Sequence, residues 1–300
     1  MQITKRSGTW LAITFILSWT LAFGFFAAGG TLHSRLWLLV AVVYMFIPAI
    51  ATLAVETLFK KGDARSRLGL SFRPNWWFLV GLLAPAVLAL LSTALSLAQP
   101  WVTIAAKLET ANVFRVFGAH LPAARITAVK EQAARLPIHP FWLVLLGGTL
   151  AGLTVNGVAG FGEELGWRGF LQSEWDAWGF WKSSWLIGLL WGVWHAPFLL
   201  HGFNYPDHPI AGIFIMTLFT VLLAPLIGFV RLRSKSVFAA AIMHGAINGT
   251  YMAPALVLQG GSSLTTGVMG WPGIMVLAIA NIALCLFGCT GNTNASAPHR

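Results

Sequence analysis

Glu163 and Glu164 stand side by side in Gly160-Phe161-Gly162-Glu163-Glu164-Leu165-Gly166-Trp167-Arg168, at the end of a long apolar run. A carboxylate at bilayer depth costs about 2.5–3.5 kcal/mol on insertion scales, so two together need a use or a partner. The chain has only nine acids, which makes their inventory decisive. Asp63, Asp176 and Asp207 fall in loops, Glu56 ends an apolar span, Glu109 and Glu131 lie in a long connecting segment, and Glu174 follows a span. Of eight histidines, His33, His120, His139, His208 and His299 are in loops or tails and His201 is at a span end, which leaves His195 and His244 inside apolar stretches. A buried carboxylate with two buried imidazoles is the equipment of general acid–base chemistry.

Spacing separates the roles. Neighbouring helical residues point about 100° apart, so the two glutamates cannot face one target equally. Glu164 and Arg168 are at i and i+4 with the acid first, the favoured order for a helical ion pair. Glu164 is therefore the structural partner of Arg168, and Glu163 is the candidate base. One arginine does not account for two buried acids, so a salt bridge alone is an incomplete reading. His244 and Asn248 are also at i and i+4, and together offer two donors to one oxygen, as a tetrahedral oxyanion requires. Taken singly, His195, His244 and Asn248 read better as interhelical hydrogen-bonding residues; the inference rests on the set. Other protease chemistries lack their residues. There is no HExxH, no pair of aspartates in apolar spans, and Ser262 and Ser263 lie in a loop with no histidine nearby.

These groups must be positioned by helices in a bilayer. The chain is 57% hydrophobic and 9% charged, with mean hydropathy +0.74; a soluble domain carries about a quarter charged residues. The expected fold is all-α, a polytopic bundle of about eight transmembrane helices at 10–28, 36–58, 76–98, 141–162, 183–200, 210–230, 237–258 and 271–289. The fourth is expected to continue as helix past Arg168. Residues 1–290 form a single transmembrane domain and 291–300 a polar, disordered tail. Lys5 and Arg6 precede a run, Trp10 to Ala28, that is too long for a signal peptide and is read as the first span. The fifteen tryptophans suit membrane interfaces. The net charge of +10 comes mostly from residues flanking spans, with no basic, aromatic-interleaved strip, so no nucleic-acid partner is expected. Cys285 and Cys289 read as small apolar fillers on one helix face.

Cations set the orientation. Lys60, Lys61, Arg65, Arg67 and Arg73 fill one loop and Arg231, Arg233 and Lys235 another, which places both loops and both termini in the cytoplasm. The segment 99–140 is then external, and its mix of Trp101, Val102, Ile104, Leu108, Phe114 and Phe117 with charges suggests a helix on the outer surface. Glu163 falls near the cytoplasmic end of its span. His195 lies about a dozen residues into the next, near mid-membrane at about 1.5 Å per residue, and His244 is about two turns deep. All three are expected to line one cavity open to the cytoplasm.

Glu163-Glu164-(three residues)-Arg168, Trp191-(three)-His195 and His244-(three)-Asn248 resemble the EExxxR, FxxxH and HxxxN motifs of the CPBP family. These are the CAAX-prenyl-endopeptidase-like and bacteriocin-processing intramembrane proteases, also called the Abi family. The resemblance covers about 141–258, with Trp191 where the family usually has phenylalanine. It implies peptide-bond hydrolysis in a membrane cavity, with Glu163 as the base activating water, His195 assisting, His244 and Asn248 stabilising the oxyanion, and Glu164 and Arg168 ordering the site. No metal is favoured, because an i, i+4 amide suits an oxyanion site better than a zinc shell. The alternative is a single Zn²⁺ on Glu163, His195 and His244 with an open fourth position. Expected partners are the bilayer and a membrane-associated peptide or protein substrate, and the expected location is the plasma (inner) membrane of a prokaryote. Other readings are a non-catalytic immunity or scaffold protein on the same fold, or a proton-coupled transporter, although no paired inverted repeat is visible.

Overall fold

The computed structural model describes residues 3–117 and 121–288. Four long apolar helices dominate: α1 (Lys5–Ala27), α2 (Trp37–Leu58), α4 (Trp76–Leu97) and α12 (Pro209–Ser234), with α3 (Ala64–Leu68) between the second and third. Short polar side chains start several of them by accepting a backbone N–H: Thr4 before α1, Asn75 before α4 and Ser236 before α13 (Val237–Thr250). Outside the bilayer-length helices, β1 (Thr103–Ile104), α5 (Thr110–Phe117) and α6 (Ala123–Ala134) fill the long connection. The remaining elements are α7 (Pro140–Ala151), α8 (Val155–Glu164), a π-helical turn Leu165–Leu171, α9 (Gln172–Glu174), α10 (Phe180–Trp194), α11 (Ala196–Leu200), α14 (Ala253–Val257), β2 (Leu258–Gln259) and α15 (Trp271–Ala283).

The molecule is an all-α, polytopic bundle with helix at each of the eight expected positions, but not eight unbroken spans. Among the described residues four helices are long and apolar enough to cross a membrane singly, and a fifth crossing results if Pro140–Ala151 and Val155–Glu174 count together across a 55° bend. The bend falls at Gly152–Thr154, where α7 meets α13 so closely that a Cβ on Gly152 would sit 2.8 Å from the Ala246 nitrogen. Helix does continue past Arg168, but as a π-turn. Two other segments break at prolines, α10/α11 ahead of Pro197 and α13/α14 ahead of Pro254.

Polar groups cluster at the two ends. At one, Arg6 and Arg67 grip Glu56 at 2.7 Å each, while Arg6 and Lys61 reach Glu174 at 3.2 Å. Val237 donates to the Gly69 carbonyl at this same end. At the other, β1 pairs antiparallel with β2, and Asn112 donates to the Ala255 and Leu258 carbonyls. The loops predicted cytoplasmic thus share one end, and segment 99–140 lies at the opposite one. That segment is not one surface helix. Leu108 and Val113 turn inward onto Leu256, whereas Trp101 and Ile104 stay exposed. Around the girth, exposed Ile16, Leu39, Leu53, Leu146, Phe214 and Ile279 present an apolar surface suited to lipid. Cys285 is exposed; Cys289 and the tail 291–300 lie outside the described residues.

Candidate active site

The glycines of α8 explain how two glutamates reach a histidine 80 residues away. A Cβ on Gly160 would lie 2.9 Å from the Ala241 carbonyl oxygen, and one on Gly245 would lie 2.5 Å from the Gly157 nitrogen. A Cβ on Gly162 would lie 2.8 Å from the Met45 oxygen. Small residues therefore let α8 wedge between α2 and α13 with the backbones in contact. His244 projects from α13 directly over the glutamate pair.

Glu164 is fully buried, and its Oε1 accepts from Arg168 Nη1 at 2.9 Å and from His244 Nδ1 at 2.8 Å. Oε1 already accepts from the guanidinium, so in the bond to His244 it is again the acceptor and the histidine carries a proton on Nδ1. The other ring nitrogen, Nε2, is then directed at Glu163 Oε1, 3.8 Å away. The second Glu163 oxygen, Oε2, accepts the Trp191 indole N–H at 2.8 Å. The Arg168 guanidinium lies over the Trp191 ring at 4.5 Å. Two atoms of this buried network, Glu164 Oε2 and Arg168 Nη2, have no partner among the described residues.

His195 is placed by a helix break. Pro197 has no N–H to continue α10, and the backbone N–H of His195 turns back to Gly192 instead of Trp191. The released Trp191 carbonyl is taken by the His195 side chain, Nδ1 donating at 2.7 Å. A carbonyl only accepts, so the neutral ring keeps its lone pair on Nε2. The same break exposes the Trp194 carbonyl, which receives the Tyr44 hydroxyl at 2.5 Å and the Trp19 indole at 3.3 Å.

Glu163, Glu164, Arg168, Trp191, His195 and His244 thus form one connected cluster. Asn248 lies one turn beyond His244 on α13, half-buried, and its amide makes no hydrogen bond among the described residues. Glu163 and His244 are 2% and 4% exposed, so the half-buried His195 and Asn248 mark the accessible side. Tyr44 was missed in the sequence, although it is one of only three tyrosines and falls inside the predicted span 36–58. As for zinc, no group of three or more His, Cys, Asp or Glu side chains among the described residues is arranged to hold a metal ion.

Glu164→Gln is expected to destabilise the fold, because it leaves Arg168 buried without a counter-charge. Breaking one side of a buried pair costs about 3–5 kcal/mol. Thermal unfolding in detergent measures this, with the isosteric Glu163→Gln change expected to have the smaller effect.

Residues 138–250 match the family model described as type II CAAX prenyl endopeptidase Rce1-like. The matched stretch contains all seven residues of the three motifs, and it supports the resemblance drawn from them. No curated protein matches the chain.

Proposed function

We propose, from the similarity of residues 138–250 to CAAX prenyl endopeptidases, that this protein is an intramembrane endopeptidase in which Glu163 activates water. The observation that carries the reading is the shared hydrogen bonding of Glu164 Oε1 to Arg168 and His244, which aims His244 Nε2 at Glu163. A structural salt bridge needs the arginine alone.

The chemistry follows from these atoms. A peptide carbonyl enters past His195 and Asn248. Glu163 Oε1 takes one proton from a water molecule while the water oxygen bonds to the carbonyl carbon. The His195 Nε2 lone pair accepts a hydrogen bond from the other water proton. Charge develops on the former carbonyl oxygen, where the Asn248 amide donates to it together with His244, taken in this step as doubly protonated throughout, with Nδ1–H on Glu164 and Nε2–H on the oxygen. Collapse breaks the C–N bond as Glu163 returns its proton to the leaving nitrogen. The remaining acid proton passes to the product amine, giving a carboxylate and an ammonium. His244 is held before the reaction begins by its Nδ1 bond to Glu164, so little reorganisation of that donor is required.

The test uses the full chain in lipid nanodiscs with two internally quenched peptides, one ending in a farnesylated Cys-aliphatic-aliphatic-X sequence and the other identical but unprenylated. Cleavage, with the new termini identified by mass spectrometry, supports the reading; intact peptides of both kinds with folded protein would count against it. The product termini and the ratio of the two rates define the substrate class.

The cation clusters support an orientation with the Arg- and Lys-rich end in the cytoplasm of a prokaryotic cell and the β1–α6 cap outside. Reporter fusions at Lys61 and Ser234 are expected to report cytoplasmic positions and one at Lys107 an external position. An external signal at Ser234 would invert the site.

A further inference from the structure

Trp191 touches more of the site than any other residue. Its indole N–H binds Glu163 Oε2 at 2.8 Å, and its carbonyl holds His195 Nδ1 at 2.7 Å. Its ring face carries Arg168 at 4.5 Å, and the His244 ring meets it edge-on at 5.3 Å between centroids. The side chain is 3% exposed, so water does not compete for the indole. Phenylalanine at this position would supply the ring and the cation–π contact but no donor.

The two Glu163 oxygens are consequently unequal. Oε2 is tied to the indole, while Oε1 faces His244 Nε2. The terminal torsion of a glutamate is broad and roughly two-fold, so an untethered carboxylate swings and exchanges its oxygens. We propose that Trp191 is the positioning residue for Glu163: its indole N–H locks one carboxylate oxygen and leaves the other, on the His244 side, to take the proton from water. Arg168 over the ring fixes the indole in turn, and the Trp191 carbonyl holds the His195 ring, so the base and its assisting histidine are aligned through one residue. Gly188 and Gly192, which let α10 lie against α12, carry Trp191 on a helix with little freedom to shift: a Cβ on Gly192 would meet Thr217 at 2.5 Å.

This inference rests on Glu163 being the base, and its test separates the two claims. In the first arm the protein carries ¹⁵N-indole tryptophan, and the Trp191 signal is assigned by its disappearance in Trp191→Phe. Glu163→Gln is expected to move that signal, because the acceptor changes from a carboxylate to an amide, whereas Glu109→Gln in the external segment leaves it in place. In the second arm, steady-state cleavage of the quenched farnesylated peptide by Trp191→Phe is expected to show kcat lower by about 10- to 100-fold, the scale of a misplaced catalytic group. KM and the thermal midpoint stay close to wild type. An indole signal indifferent to Glu163→Gln, a wild-type kcat in Trp191→Phe, or a kcat loss that merely follows a lowered thermal midpoint would overturn the proposal. Should the wild-type protein cleave neither peptide, the protease reading fails, and the first arm still decides whether the indole holds Glu163.

Discussion

Glu163→Gln is expected to abolish peptide cleavage while the protein inserts, folds and keeps its thermal midpoint. Glutamine is isosteric, and its amide oxygen can still accept the Trp191 indole N–H that Glu163 Oε2 accepts at 2.8 Å. What it cannot do is take a proton. Loss of a general base typically costs about 100- to 10,000-fold in rate. The buried setting pushes this change toward the upper end, because at 2% exposure there is little room beside the attacking water for a second solvent molecule to substitute for the base. The neighbouring acid provides the internal control. Glu164 holds Arg168 and His244 through one oxygen, so Glu164→Gln should show itself first as lost stability. If Glu164→Gln is folded and inactive while Glu163→Gln keeps most of its rate, the roles are reversed.

Asn248→Ala is expected to lower turnover by about 100- to 1000-fold, the usual cost of one oxyanion donor, with KM little changed. The structure leaves this amide half-buried and without a protein partner among the described residues, one helical turn from His244. A purely structural asparagine in a bundle would spend its donors on a neighbouring helix, as Asn281 does on the Leu222 carbonyl at 2.7 Å. Removing Asn248 should therefore cost little stability and much activity. Equal losses in both, measured by thermal unfolding and initial rates, would return it to a packing role.

The comparison with the sequence reading is instructive residue by residue. Hydropathy located the helical segments because lipid demands about 20 apolar residues per crossing. It could not show that the fourth segment bends at Gly152–Thr154, since that break arises from contact with α13, more than 80 positions later in the chain. Pro197 was visible, but its consequence was not: freeing the Trp191 carbonyl for the His195 ring depends on the backbone path at one residue. The i, i+4 spacing pointed to the Glu164–Arg168 pair directly, because both ends lie on one helix. The His244 bond to the same carboxylate oxygen involves two helices and had no signal beyond the glycines that let them touch. Trp191 was read as an aromatic standing for an aromatic; only side-chain direction reveals that its N–H meets Glu163. The apolar residues of segment 99–140 suggested contact with a membrane surface, whereas Leu108 and Val113 are consumed by packing onto Leu256.

The central claim, that Glu163 activates water without a metal, is tested most directly by measuring metal content and rate on the same purified preparation. The seven site residues include only two histidines, one of them, His244, held through Nδ1 by Glu164, and among the described residues no trio is arranged as a metal shell. The expected result is no stoichiometric zinc by elemental analysis, with initial rates on the quenched peptide unchanged by EDTA or phenanthroline. Stoichiometric zinc, lost together with activity on chelation and restored with it on readdition, would contradict the account, as ligands to a catalytic metal must behave.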